Sequence, residues 1–120
     1  MEILRLLDQA SWIVDYEVQD YKQWQTGFYY RLKIQFQDYS VLYVKEYLDD
    51  TERNYAFHWQ DKNNNMIARW DNAPHHHHIL TFPHHKHDPE GIFDSLEISL
   101  PEVIEQIQQQ LTVSQRLEEE

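Results

Sequence analysis

The sequence predicts an α+β domain: a single antiparallel meander sheet of about five or six strands, a C-terminal helix packed on one face and a short N-terminal helix. Apolar and polar residues alternate at period two in successive short runs. Brief turn-forming segments separate those runs, as antiparallel neighbours require. The final stretch then switches to helical spacing. At 120 residues the chain, 1–120, is expected to be a single domain.

Residues 2–10 read as a short helix with Ile3, Leu6, Leu7 and Ala10 on one face. So short a helix needs a surface to pack on. From Trp12 the period becomes two, with Trp12, Val14, Tyr16 and Val18 on one side of a half-buried strand. Asp20 through Gly27 reads as a connection. In the second strand Tyr30, Leu32, Ile34 and Phe36 alternate with Arg31, Lys33, Gln35 and Gln37, and Asp38-Tyr39-Ser40 forms a hairpin turn.

Residues 41–48 form the third strand, with Leu42, Val44 and Leu48 facing one way and Val41, Tyr43, Lys45 and Tyr47 the other. Aromatic and β-branched residues on both faces predict an interior strand covered by a helix. Residues 53–60 form the fourth strand and 66–70 the fifth, joined by the strong turn signal Asp61-Lys62-Asn63-Asn64-Asn65. Pro74 has no amide donor and restricts Ala73, which ends that ladder. A further short strand is expected over 77–82, stopped by Pro83, with a loop at Asp88-Pro89-Glu90-Gly91. Ser99 is placed to cap the last helix, and Pro101 and Glu102 suit its first turn. Val103, Ile104, Ile107 and Leu111 then make a stripe that closes over the sheet.

Composition narrows the function classes. Ten Lys and Arg against 21 Asp and Glu give a formal charge of -11, which opposes long-range approach to a phosphate backbone. A local basic face around Arg31, Lys33, Lys45, Arg53 and Arg69 is still compatible with that total. With no cysteine there is no disulfide or thiol chemistry. No apolar run approaches the roughly 20 residues of a membrane span. The start, Met1 to Asp8, carries acids where a secretory signal needs basic residues. A cytoplasmic protein without membrane association is expected. Gly27 and Gly91 stand alone, so no glycine-rich phosphate loop exists.

Chemistry is concentrated in the histidines. Seven of the eight fall within 13 residues: His75 to His78, His84, His85 and His87. Imidazole exchanges protons near neutrality and ligates transition metals. If 84–87 is extended, His85 and His87 share a face and His84 points away; in a tight loop all three converge. Acid–base cleavage of RNA needs one group to deprotonate the 2′-hydroxyl and another to protonate the leaving 5′-oxygen. A cation must also stabilise the phosphorane, and Lys86 and Arg69 offer that charge.

Tyr55 can orient a group or donate a proton. Asp71 can pair with Arg69 or fix an imidazole tautomer. Arg53, Tyr55, Phe57 and Trp59 share a strand face, either to stack on bases or to fill the core. His58 lies opposite, as a structural or a catalytic histidine. The metal alternative draws on His75, His78, His85, His87 and Asp71, whose spacing follows no strong ligand pattern. No metal and no cofactor is therefore expected.

Several stretches, in order, carry a resemblance: Leu42-Tyr43-Val44-Lys45-Glu46-Tyr47, Arg53-Asn54-Tyr55-Ala56-Phe57-His58, Arg69-Trp70-Asp71-Asn72-Ala73-Pro74-His75-His76 and Phe82-Pro83-His84-His85-Lys86-His87. Together with the C-terminal helix, they make the chain resemble the TumE family of toxin components of toxin–antitoxin pairs. That resemblance implies a growth-inhibiting protein held inactive by a cognate antitoxin, with RNA cleavage as its activity. The expectation is a metal-independent endoribonuclease acting on single-stranded RNA, with a homodimer left open. His85, His87, His58, Arg69, Tyr55 and Asp71 are its expected catalytic set, and Lys86, Arg53 and His84 its substrate contacts. The alternative is a non-enzymatic interaction domain, or degenerate toxin, whose histidines organise a loop or bind metal.

Overall fold

The computed structural model describes residues 2–119. Its elements are α1 (Glu2–Gln9), β1 (Ile13–Trp24), β2 (Gly27–Phe36), β3 (Val41–Leu48), β4 (Arg53–Gln60), β5 (Met66–Asp71), β6 (His85–Asp88), β7 (Gly91–Asp94) and α2 (Leu100–Glu119). The strands form one antiparallel sheet in sequence order, each bonded only to its chain neighbours. The sheet has seven strands where the sequence suggested five or six.

Strands β2 to β5 match the expected alternation. Leu32, Ile34, Phe36, Leu42, Val44, Phe57, Trp59, Ala68 and Trp70 are buried on one face. They form a single cluster with Leu7 of α1 and with Leu100, Val103, Ile104 and Ile107 of α2. Both helices thus cover the same side of the sheet. Ser99 and Glu102 form a reciprocal capping box at the start of α2: the Ser99 hydroxyl and amide both donate to Glu102 Oε1, and the Glu102 amide donates to Ser99 Oγ. In α1 the buried residue is Leu7, with Ile3 and Leu4 beside it, while Leu6 is turned outward.

Three expectations about the strands fail. Segment 20–24 belongs to β1, so the supposed connection shrinks to Gln25 and Thr26. Register shifts between Ile13 and Asp15 and between Val18 and Asp20 put β1 out of phase. Val14 and Val18 are exposed in consequence, while Trp12 and Tyr16 pack on the core as expected and Ile13 joins them. Those bulges and the charges of β1 also blunt an edge strand. Residues 77–82 form turns, and the late strands are β6 and β7, with Pro89 and Glu90 as a two-residue hairpin turn between them.

Candidate functional site

Cross-strand register builds the site on the open face, opposite the helices. One row runs Arg31, Lys45, Ala56, Asp71 and His85 across β2 to β6. The next runs Lys33, Tyr43, His58, Arg69 and His87. Strand β6 is extended, so His85 and His87 lie on the same face by simple alternation.

Asp71 is the hub, only 4% exposed. Its Oδ1 accepts the Ala73 amide at 3.0 Å and lies 2.9 Å from His85 Nε2. Its Oδ2 accepts Arg69 Nε at 3.0 Å and lies 3.5 Å from His87 Nε2. The ring of His85 is 2% exposed, and its Nδ1 donates to the Pro83 carbonyl at 2.8 Å. The loop after β5 brings in a third imidazole, His76. Its ring centroid is 4.9 Å from that of His85 and 5.5 Å from that of His87, and the last two are 4.7 Å apart. One nitrogen from each of the three rings lies within 4.8 Å of the others.

Burial holds His87 below the ordinary histidine range; Asp71 opposes that shift, while His85, His76 and Arg69 reinforce it. His58 is lowered by burial and then by Arg69, and its Nδ1 has no hydrogen-bond partner among the described residues. Beside Asp71 a groove of about 290 Å³ runs between Lys45 and Arg69, with Ala56 among its lining residues. Three of the five expected basic-face cations, Arg31, Lys33 and Lys45, join Arg69 on this side.

Four expected site residues lie on the helix-covered side instead. Tyr55 is buried, stacked on Phe57, and its hydroxyl meets His84 Nδ1 at 2.8 Å. Burial raises that phenol to about 12. Arg53 bonds Glu46 at 2.6 Å and the Ile98 carbonyl at 2.9 Å, pinning the approach to α2. Lys86 sits over the Trp70 ring, 5.1 Å from its centroid, on a cleft of about 830 Å³ beside α2. The nine expected residues therefore do not share one cavity. His58, Arg69, Asp71, His85 and His87 occupy the open face; Tyr55, His84, Arg53 and Lys86 do not.

The metal set proposed from sequence is also revised: His75 and His78 are exposed, and His76 takes their place. Nothing in the spacing singles out His76, because its direction depends on the turns between Pro74 and Pro83. Asn72 has a role that sequence reasoning placed differently. Rather than capping the turn before Pro74, its side chain accepts the Tyr55 amide and donates to the Arg53 carbonyl, closing the end of β4.

Fold and site define a small α+β domain carrying a histidine–aspartate network on its uncovered sheet face. Residues 3–111 match the family model described as Toxin TumE, and the chain belongs to that family. No curated protein and no solved structure matches it. No helix among the described residues is long and apolar enough to cross a membrane.

Proposed function

We propose that this chain is the toxin component of a toxin–antitoxin pair, that it works by binding, and that its histidine network organises the site instead of shuttling protons. A cognate antitoxin is the partner that family membership implies. The observation that carries the reading is the environment of His85. Both ring nitrogens face an acceptor, Pro83 O at 2.8 Å and Asp71 Oδ1 at 2.9 Å, in a position closed to solvent. A proton shuttle has to reach a substrate, and this ring is spent on joining the loop to the sheet. Tyr55, another expected proton carrier, and His84, an expected substrate contact, face the wrong side.

A second reading, RNA cleavage in the cytoplasm, is favoured by one observation. His87 is partly exposed, held below the ordinary histidine range, and paired across the sheet with Arg69, which lines the Lys45–Asp71 groove. A base and a cation are thereby available to a phosphodiester laid in that groove.

Labelled single-stranded RNA incubated with purified protein, with and without chelator, decides between the two. The binding reading expects intact RNA and a stable complex with the cognate antitoxin. Products ending in 2′,3′-cyclic phosphate, lost in His87→Ala with the fold intact, would overturn it and establish the nuclease.

A further inference from the structure

We propose that His76, His85 and His87 form a binding site for one divalent transition-metal ion of the zinc class, with Asp71 as a fourth donor or as the carboxylate behind the ligands. The inference rests on reading this network as an organising device, and it names what the network holds. Three neutral imidazoles with one carboxylate suit a borderline ion such as zinc, and suit magnesium or calcium poorly.

The donors come from two segments that the fold brings together. His85 and His87 are one residue apart on β6 and project from the same face, which is a natural chelating pair. His76 reaches them from the loop after β5, so an ion here would tie that loop to the sheet. The three rings meet edge to face, at interplanar angles of 71° to 74°, an arrangement that lets nitrogens converge while ring faces stay apart.

Distances around Asp71 have the right scale. Metal–ligand bonds of about 2.0–2.1 Å place neighbouring donors about 2.9 Å apart at right angles and about 3.4 Å apart at tetrahedral angles. Asp71 Oδ1 to His85 Nε2 is 2.9 Å, and Asp71 Oδ2 to His87 Nε2 is 3.5 Å.

The surrounding bonds also fit a ligand role. His85 donates Nδ1–H to the Pro83 carbonyl, the partner a metal-bound histidine ordinarily has on its remote nitrogen. That bond leaves the Nε2 lone pair directed at a carboxylate oxygen 2.9 Å away. Two lone pairs at that separation need a cation between them, either a proton or a metal ion. A metal ion satisfies His76 and His87 at the same time, whereas a proton on His85 serves only one ring.

The test is zinc titration by calorimetry on the chelator-stripped full chain, with cobalt(II) absorption as a second readout of coordination. Wild type is expected to bind one zinc per chain and to give the intense visible bands of a low-symmetry cobalt site. His76→Ala and His87→Ala should each weaken binding by more than about a hundredfold, beyond the loss of a supporting partner alone. His75→Ala/His78→Ala, which removes two exposed imidazoles of the histidine run, should bind as wild type does. Unchanged affinity in His76→Ala and His87→Ala, or loss confined to His75→Ala/His78→Ala, would overturn the site and identify adsorption on the exposed run. Circular dichroism of each variant separates lost ligands from lost fold. The RNA assay stands apart: chelator-resistant cleavage defeats the binding reading, whereas absent zinc with intact RNA defeats only the metal site.

Discussion

The Tyr55 hydroxyl and His84 Nδ1 meet at 2.8 Å on the helix-covered side of the sheet, while His85, the next residue, projects to the open side. Adjacent histidines therefore serve opposite faces, and although Tyr55 contributes to the wall of the groove beside Asp71, its hydroxyl is engaged by His84. Tyr55→Phe should cost about 1 kcal/mol, the usual worth of one hydrogen bond, and leave antitoxin binding unchanged. Urea denaturation and a pull-down measure the two effects. Loss of function without loss of stability would return Tyr55 to the active set.

Asp71 serves four partners from a nearly closed position, so its removal strands several polar groups at once. Asp71→Ala should destabilise the domain by about 3 kcal/mol, the range for breaking a buried charged network. Arg69→Ala, at a half-exposed partner, should cost about 1 kcal/mol or less. Equal losses in the two variants would show that the buried imidazole–carboxylate contact contributes little.

Acid should weaken the fold through His58. Burial and the neighbouring Arg69 lower its pKa in the folded state, so the unfolded chain binds the proton more readily. Its contribution to stability is full above the ordinary histidine value of 6.5 and is lost as pH falls through the lower folded value. His87 shifts in the same direction, so His58→Gln should reduce the slope without flattening it. Denaturation midpoints between pH 5 and 8 in chelator, a range of about three units around the ordinary histidine value, measure this. An identical slope in the variant would rule His58 out as its source.

The capping box and the stripe of α2 make separable demands. Ser99→Ala should cost about 1 kcal/mol, and Ile107→Ala, at a fully buried position, about 2–5 kcal/mol. Thermal melts of both variants against wild type test the ranking. A Ser99→Ala loss as large as that of Ile107→Ala would mean that α2 depends on its cap more than on its packing.

Legibility of the fold followed the phase of the pattern. Tyr30 to Phe36 and Tyr55 to Trp59 alternate without interruption, so β4 was readable to within a residue and β2 everywhere but its start, which lies three residues earlier at Gly27. Around the β1 bulges Val14 and Val18 turn outward while Trp12, Ile13 and Tyr16 stay on the core, and 20–24 carries polar residues on an edge where no core imposes alternation. Strands β6 and β7 have four residues each, too few to show a period. At the site, the shared face of His85 and His87 and the Arg69–Asp71 pair follow from strand spacing. The separation of Tyr55 and His84 from them required the phase of β6, and His76 required the path of a loop.

Sheet order carries a consequence for how the chain is made. Every strand finds its partner in the preceding segment, so pairing can advance with synthesis and needs no distant search. Apart from the short cover of α1, the apolar side stays bare until α2 arrives to join the cluster of Phe57 and Ile34. A polypeptide cut before Leu100 would therefore possess all seven strands and the histidine network, yet remain a sticky, uncapped sheet.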